Sequence, residues 1–465
     1  MKTSTTLPLG KKVLPDALPL RKLIGPSFII LGLGLGSGEV ILWPYLTSNY
    51  GLGIVWGILV GVTMQFFINM EVERYALIYG ESIFVGFARL LKWLPVWFIL
   101  STFLGFGWPG IGLAGSSLLS MAFGVYNVTA IAIPVFLIIG LILTLGTVLY
   151  RTVETLEKWL IGIGVPFIIL LTLYLARGAD FAALGEGIIG IGEGFTFLPV
   201  GIAIGTFLGA LAYSGAGGNL NLAQSFYVRD KGYGMGKYAD RITSLITGGA
   251  KKKTFTITGN TFAINAKSLQ RFHHWWRVIN QEHFLIFWCL GLITMFTLAL
   301  LAYVTSFGME GNTEGIMFVV NEAVVIGIKT LPLIGRLFLI ITGVMLLATQ
   351  LTVLDSTSRI MTENVLLLRK AKAFNVSRVY YIILWIQILF GIIIFSIGFD
   401  QPLQLIILGA VINAFTMFVY TGLLLYLNNR VLAPELRPSW WRNLLLFATF
   451  VFLGVFCWMV IVDKL

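Results

Sequence analysis

Eleven apolar segments, each long enough to cross a lipid bilayer, are the feature that most restricts how this chain can fold. A spanning helix needs about 20 mostly apolar residues, and helices or closed barrels alone satisfy their backbone polar groups within the hydrocarbon core. With 57% hydrophobic and 11% charged residues, the chain is too apolar for a water-soluble domain. We therefore predict an all-α polytopic membrane protein. The predicted spans are residues 25–48, 53–77, 95–122, 128–149, 158–177, 199–228, 283–305, 332–355, 378–398, 402–427 and 443–462.

The basic residues predict how these spans are oriented. With a cytoplasmic amino terminus, only Arg177, Lys329, Arg336 and Lys464 of the 32 Lys and Arg lie on the outer side, as the positive-inside bias requires. An odd number of spans then places the carboxyl terminus outside. The net charge of +11 follows from this topology, so we expect contact with the lipid bilayer and no nucleic-acid partner. We place the protein in the plasma membrane of a bacterium or archaeon.

The first apolar segment is interrupted at residues 33–39, which read Leu-Gly-Leu-Gly-Ser-Gly-Glu. Glycine costs about 1 kcal/mol in a helix interior, and a carboxylate near the bilayer centre costs several kcal/mol without a partner. We predict that span 1 is unwound here and lines a cavity. The alternative is that these glycines only let two helices pack closely. Glu39 favours the unwound helix, because helix packing needs no ionisable group.

A second interruption, residues 212–219, lies in the sixth span, five spans after the first. A unit of five spans has odd parity, so its repeat is inverted in the membrane, and paired broken helices indicate a substrate site. We therefore predict a 5+5 inverted repeat plus one extra helix, with spans 1 and 6 unwound at mid-membrane. A glycine-lined helix crossing is the alternative for the second interruption.

The predicted organisation of the chain follows from these spans. It consists of a cytoplasmic amino-terminal segment (1–24), a first transmembrane repeat (25–177), an external linker (178–198), a second repeat (199–427) with a cytoplasmic loop (229–282), and a cytoplasmic connection with span 11 (428–465). Within the loop, residues 254–261 are predicted to form a short hairpin, and residues 272–280 an interfacial amphipathic helix. Residues 313–328 have helical spacing and predict a helix on the outer surface.

Several short motifs resemble the Nramp family of divalent-metal transporters. The opening Gly-Pro-Ser-Phe at 25–28 resembles that of the family, and Gly-Ser-Gly-Glu at 36–39 stands where the family has Asp-Pro-Gly-Asn. Residues 73–80 resemble the end of its second span, and residues 348–363 its eighth span. The resemblance extends in outline over spans 1 to 11. It implies the leucine-transporter fold of the APC superfamily and the transport of divalent metal ions.

The family's metal-binding positions are changed in this chain. Gly36 stands in the place of its Asp, Glu39 in that of its Asn, and residues 216–218 in that of its sixth-span Met-Pro-His. The third-span acids associated with proton movement have no counterpart, because no Asp or Glu occurs between Glu81 and Glu154. The resemblance therefore implies a divergent member that lacks the usual metal-binding motifs.

The oxygen ligands that remain suit a hard cation. We predict a secondary active transporter that moves a divalent cation by alternating access, with Mg²⁺ or Ca²⁺ favoured over Mn²⁺ or Fe²⁺. Glu39 is the predicted charged metal ligand, and Asn219 is predicted to be a second ligand through its neutral amide oxygen. The predicted substrate- or ion-binding residues are Glu39, Gly36, Ser37, Gly34, Ala212, Ser214, Gly215, Ala216 and Asn219.

Two other functions fit the same sequence. One is sodium- or proton-coupled symport of a small organic solute such as an amino acid, for which Thr349, Thr352 and Ser356 form a candidate secondary ion site in span 8. Hydroxyl-mediated helix packing is the other interpretation of these residues. The second alternative is a sensor that binds without transport. In each case we expect no catalytic residues and no cofactor besides the transported or coupling cation.

Alternating access also needs a gate on the cytoplasmic side. Arg21, just before span 1, and Asp355, at the inner end of span 8, form a candidate gate pair. The alternative is that Arg21 only sets the topology.

Overall fold

Proline marks the first turn of several long helices in this all-α protein. Pro26, Pro332 and Pro402 each begin a helix, at the position where the missing N–H is not needed and the fixed φ is already helical. The computed structural model describes residues 9–20, 25–145, 149–239, 257–369 and 376–464. The predicted fold class, an all-α polytopic membrane protein, is confirmed.

Within the described ranges, nine helices are long and apolar enough to cross a membrane. They are Pro26–Tyr50, Leu52–Tyr79, Leu94–Phe123, Val153–Leu175, Ala266–Ser306, Pro332–Arg369, Val376–Ser396, Pro402–Val431 and Trp440–Asp463. In chain order they correspond to spans 1, 2, 3, 5, 7, 8, 9, 10 and 11. The shorter helix Thr129–Leu145 lies where span 4 is predicted. Span 6 consists of two helices, Ile204–Ala212 and Leu220–Lys231.

Several of these spans are composite. Span 1 contains a π-helical turn at Ser37–Leu42, and span 7 contains another at Phe284–Leu290. Span 3 consists of the helices Leu94–Phe106 and Gly110–Phe123. Span 5 begins at Leu149, and span 11 ends at Lys464.

Short elements connect the spans. The short helices are Leu52–Ile54, Ile83–Leu90, Gly178–Ile188, Gly234–Tyr238, Met317–Lys329 and Pro434–Leu436. Ile191–Gly192 pairs antiparallel with Phe195–Thr196, and Gly10–Lys11 pairs parallel with Asn260–Thr261. The helix Met317–Lys329 confirms that residues 313–328 are largely helical, although it begins four residues later than predicted. Its location on the outer side stays a prediction.

Of two predictions for the long loop between spans 6 and 7, the separate interfacial helix is wrong and the hairpin falls partly outside the described residues. Residues 272–280 are not a separate interfacial helix, because they belong to Ala266–His283, which continues directly into the rest of span 7. Of the hairpin predicted at 254–261, the first three residues lie outside the described ranges. Asn260–Thr261 pairs with the amino-terminal segment instead of with the loop itself.

The amino-terminal segment docks against the loop between spans 6 and 7 and the start of span 7. Besides the parallel pairing of Gly10–Lys11, the Trp275 indole donates to the carbonyl oxygen of Pro15 at 2.9 Å. Arg271 forms an ion pair with Asp16 at 2.6 Å. These contacts account for the helical start of span 7 in spite of its polar composition.

Burial identifies the centre of the bundle. In span 1, 94% of the most apolar window is buried, whereas the corresponding share is 33% in spans 5 and 11. Span 8 packs against spans 1, 3, 5 and 9. Spans 1, 6 and 8 therefore form the interior, and the large apolar side chains of the outer spans face away from it, as in a protein surrounded by lipid.

Candidate functional site

The first glycine-rich stretch, residues 33–39, is helical throughout. The helix Pro26–Gly36 passes without a gap into the π-helical turn, which passes into the helix Trp43–Tyr50. The backbone of Gly36 has φ −89° and ψ −78°, which is right-handed helical. The Trp43 amide donates to the carbonyl of Gly38, five residues earlier, as in a π-helix. The prediction that span 1 is unwound at mid-membrane is therefore wrong.

Close packing explains the glycines of this stretch, because Gly34 and Gly38 lie against span 6 and Gly36 lies against the Thr349 side chain of span 8. A Cβ at Gly34 would lie 3.1 Å from the backbone of Gly215, and one at Gly38 would lie 2.6 Å from the carbonyl carbon of Tyr213. The contact at Gly38 is closer than real Cβ atoms come, and the contact at Gly34 is tighter than most, so a larger residue at Gly38 would force the two spans apart. The close-packing interpretation, which we set against the unwound helix, is the one that fits here.

The second stretch, residues 212–219, is interrupted as predicted. The first helix of span 6 ends at Ala212, the second begins at Leu220, and the residues between them are not helical. Gly217 and Gly218 have φ of 73° and 45°, a left-handed conformation that side chains with a Cβ rarely adopt. The unwound span 6 is therefore confirmed, and it lies directly against the intact helix of span 1.

Gln65 of span 2 satisfies the backbone that this interruption releases. Its side-chain amide donates to the carbonyl oxygens of Leu211 at 3.2 Å and Ala212 at 3.0 Å. Its amide oxygen accepts from the Gly217 N–H at 3.1 Å. The carbonyl of Ala212, which we predicted as an ion ligand, thus already has a partner. Sequence analysis missed Gln65, although a fully buried amide within an apolar span was the available signal.

Glu39 points away from the interruption, toward span 7. Its side chain is fully buried, and neither carboxylate oxygen has a hydrogen-bond partner among the described residues. Thr294 of span 7 lies beside it, but the Thr294 hydroxyl donates to the carbonyl of Leu290 or Gly291, each at 3.0 Å. Glu39 is therefore a buried acid for which the described part of the chain supplies no hydrogen-bond partner or ion pair.

The other predicted ligands have different neighbours. The Ser214 hydroxyl accepts from the Trp43 indole at 2.9 Å and donates to the carbonyl of Ala210 at 2.9 Å. The Asn219 amide donates to two hydroxyls of span 3, at 2.9 and 2.8 Å. Ser37 and Ala216 are buried. The two stretches thus meet, but Glu39, Ser214 and Asn219 are directed to three different sides of the meeting point.

Two amide oxygens that have no partner in the described part of the chain flank the interruption. One is Oδ1 of Asn219, and the other is Oδ1 of Asn413 on span 10. The Asn413 amide donates to the Tyr213 hydroxyl and to the carbonyl of Gly105, both at 3.0 Å. A cavity of about 10 Å³ beside Tyr213, lined also by Gln350, has room for about one water molecule.

The candidate secondary ion site on span 8 faces spans 1 and 5. The Thr349 hydroxyl donates to the carbonyl of Gly32 in span 1 at 2.9 Å, and the Thr352 hydroxyl donates to the carboxylate of Glu157 in span 5. The second oxygen of Glu157 is buried without a partner. Ser356 instead contacts the Tyr227 hydroxyl of span 6 at 2.5 Å. Sequence analysis missed Glu157, because it precedes the predicted start of span 5.

Asp355, the predicted gate residue, is held within an ion-pair network of its own. Its carboxylate accepts from Arg359 at 2.9 and 3.0 Å and from the Tyr380 hydroxyl at 2.8 Å. Arg359 also pairs with Asp230 of span 6 at 2.6 Å. This buried network joins the inner ends of spans 6, 8 and 9. Arg21, the proposed partner of Asp355, lies outside the described residues.

Comparison with known proteins finds similarity in structure and none in sequence. No protein-family model matches the sequence, and no curated protein is similar to it in sequence. The fold is similar to that of the manganese transporter of Eremococcus coleocola. One mutant of that transporter matches with a TM-score of 0.67 and 12% identity over 98% of this chain and 90% of that chain. Its complex with an aromatic bis-isothiourea compound matches with a TM-score of 0.68 and 12% identity, with the same coverage.

At such low identity, this likeness concerns the fold. It agrees with the all-α polytopic membrane architecture and supports the leucine-transporter fold that the motifs implied. The chain thus folds like a metal transporter, and its relation to the Nramp family remains a resemblance.

Proposed function

We propose that the protein is a secondary active transporter that moves a cation by alternating access, with Glu39 as its charged ligand. Its fold is similar to that of a manganese transporter, and transporters with broken helices bind their cargo where these helices meet. The observation that carries the proposal is the fully buried Glu39 carboxylate without a hydrogen-bond partner. An ionised carboxylate there costs several kcal/mol unless a cation or a proton balances it.

The polar groups around the two stretches favour a hard cation. Thr294 offers a hydroxyl beside Glu39, and on another side of the meeting point Asn219 and Asn413 offer amide oxygens that have no partner among the described residues. Residues 212–219 contain no Met or Cys, so the sulfur ligands that favour soft transition metals are missing from the interruption. We therefore favour Mg²⁺ or Ca²⁺ as cargo, and Mn²⁺, the cargo of the structural relative, is the competing ion.

Uptake by proteoliposomes tests this proposal. Mg²⁺, Ca²⁺ and Mn²⁺ are supplied singly to wild-type protein and to Glu39→Gln, and binding is measured in parallel by calorimetry. We expect the neutral amide to lower uptake and affinity for the preferred ion at least about tenfold, because the only charged ligand is lost. Glu322→Gln is the matched control, because Glu322 is also a buried acid but lies on the helix Met317–Lys329.

Unchanged uptake and affinity in Glu39→Gln would contradict the proposal. Binding without uptake by the wild-type protein would favour the sensor that the sequence leaves open.

A second candidate is cation-coupled transport of a small organic solute. It is favoured by the meeting of spans 1, 5 and 8, where Glu157 has an oxygen without a partner beside Thr352, and Thr349 contacts the carbonyl of Gly32. Carboxylate, hydroxyl and carbonyl oxygens suit Na⁺ as well as divalent ions. A rise in melting temperature with NaCl, absent with choline chloride and abolished by Glu157→Gln, would support this function. No response to Na⁺ would exclude Na⁺ as the coupling ion.

A further inference from the structure

A buried polar cluster joins four spans near the cytoplasmic side, apart from the two glycine-rich stretches. It contains Ser27 at the start of span 1, Glu73 of span 2, Gln224 of span 6, and Glu282 and His283 of span 7. Each side chain is at most 2% exposed. We name these five residues the inner cluster.

The start of span 1 is attached to the inner cluster. The Ser27 hydroxyl donates to the Glu282 carboxylate, and the Gly25 amide donates to the same carboxylate at 3.4 Å. The Ser27 oxygen also lies 2.8 Å from Nδ1 of His283. Because the Ser27 hydrogen is used by Glu282, the hydrogen in this second contact belongs to Nδ1 of His283. These bonds fasten the first turn of span 1 to span 7.

Glu73 completes the cluster from the other side. Its Oε1 lies 3.5 Å from Nδ1 of His283 and accepts from the Gln224 amide. The imidazole is held between the rings of Phe66 and Phe287, with centroid distances of 5.4 and 4.7 Å. Oε2 of Glu73 and Nε2 of His283 are buried without partners among the described residues. With Nδ1 protonated, Nε2 is the imidazole atom at which a second proton would bind.

The charges of the inner cluster do not balance without a bound proton. Glu73 and Glu282 repel each other electrostatically. The positive group that acts on Glu282 is Lys231, which also pairs with Glu154 at 2.7 Å. Two acids buried this close together cannot both be ionised without a compensating charge, because neither is solvated.

A proton suits this cluster better than a metal ion. Across the described ranges, no group of three or more His, Cys, Asp or Glu side chains is arranged to hold a metal. Ser27 and Gly25, at the start of span 1, already donate hydrogen bonds to the two carboxylate oxygens of Glu282.

We propose that Glu73, Glu282 and His283 form a proton-binding site that latches the start of span 1 to spans 2 and 7. With the proton bound, the cluster is compact and the first turn of span 1 stays docked. When the proton leaves to cytoplasmic water, the two carboxylates repel each other and the first turn is released. This proposal rests on the proposed transport function in one respect: release of the first turn of span 1 opens the inner path for the cargo.

Hydrogen exchange measured by mass spectrometry tests the latch without any transport. In wild-type protein, exchange of residues 25–31, corrected for the intrinsic rate, should be on the order of tenfold faster at pH 8 than at pH 6, because proton release is linked to opening. The double variant Glu73→Gln/Glu282→Gln has no carboxylates to repel each other, so exchange should stay slow at both pH values. Ser27→Ala keeps the charges but loses the attachment, so exchange should be fast at both.

Glu322→Gln is the control and should keep the wild-type pH dependence. Exchange that is independent of pH in the wild-type protein, or a pH dependence that survives in the double variant, would overturn the proton site. A second measurement separates this result from failure of the proposed function. If proteoliposomes that contain wild-type protein and a pH-sensitive dye take up no cation, transport is rejected. The exchange result would still decide whether the proton-binding site exists.

Discussion

The two glycine-rich stretches of this protein have similar compositions but different structures. Residues 33–39 remain helical with right-handed dihedral angles, whereas Tyr213 to Asn219 leave the helix and place two glycines in the left-handed region. In span 1 the glycines alternate with other residues, and Gly34 and Gly38 lie against the backbone of span 6. In span 6 two glycines are adjacent, and Gln65 supplies the lost hydrogen bonds.

The difference shows that glycine permits a helix to break but does not cause it. A break at membrane depth needs a partner for each released amide and carbonyl. Span 6 has that partner in Gln65. Within the described structure no comparable side chain from another span bonds to the backbone of residues 33–39, and the Thr349 hydroxyl bonds to the carbonyl of Gly32, just before them. The following substitutions test this explanation, from the largest expected effect to the smallest.

Removing the Gln65 amide should have the largest effect. Gln65→Met keeps the length of the side chain but leaves the Ala212 carbonyl and the Gly217 N–H without this partner, while the Leu211 carbonyl keeps the bond from the Ser214 N–H. We therefore expect a loss of about 3–5 kcal/mol in the free energy of unfolding. Gln404→Met, on an exposed face of span 10, is the control and should change little. Unfolding in detergent with denaturant measures both. Equal stability of the two variants would mean that the interruption needs no support from span 2.

Adding a methyl group at Gly38 should have the next largest effect. Gly38→Ala directs a Cβ into the backbone of Tyr213, which cannot rotate away, so we expect a loss of about 2–3 kcal/mol. Gly162→Ala, in a part of span 5 where no atom lies within 4 Å, should be neutral or slightly stabilising. A tolerated Gly38→Ala would show that spans 1 and 6 are not as closely packed as the contact requires.

Substitution of Gly217, which tests the left-handed backbone conformation at this position, should have a smaller effect on stability. Gly217→Ala places a residue with a Cβ at φ 73°, which costs roughly 1–2 kcal/mol. Gly217→Asn should lose less, because Asn tolerates the left-handed conformation better. Thermal unfolding of the two variants in the same detergent gives the difference. If Ala were tolerated better than Asn, the left-handed conformation would not be what limits this position.

Glu322 shows how burial changes the pKa of an acid that, unlike Glu39, lies outside the two glycine-rich stretches. Burial raises the pKa of Glu322 well above its usual value. The stability linked to its proton is complete below the pKa of the unfolded chain and is lost as pH rises through the higher pKa of the folded protein. Glu322→Gln avoids this loss, so its stability relative to the wild-type protein should increase as the pH rises above the pKa of an unfolded glutamate. A difference that does not change with pH would contradict the assignment.

Hydropathy was sufficient to predict nine of the eleven spans, which are long apolar helices in the described ranges, because spanning length and apolar composition are properties of contiguous residues. Span 10, predicted at 402–427, is Pro402–Val431. The interruption of span 6 was predictable for the same local reason. The helical state of residues 33–39 was not, because it depends on the Gly215 and Tyr213 backbones, which are distant in sequence.

Partners that lie far apart in sequence account for the remaining differences. The inner cluster brings Ser27 together with Glu282 and His283, more than 250 residues later, and no periodicity connects them. The polar start of span 7 was assigned to a loop because its composition is unusual for a spanning helix. In the structure, Trp275 and Arg271 contact the docked amino-terminal segment there.

The parallel pairing of Gly10–Lys11 with Asn260–Thr261 also orders events during synthesis. The two strands are separated by roughly 250 residues, and ribosomes add about 5–20 residues per second. Roughly 10–50 s of translation therefore pass between the two strands leaving the ribosome. During this time spans 1 to 6 emerge before the first strand has its partner. Docking of the amino-terminal segment thus occurs only after the first half of the protein has been made.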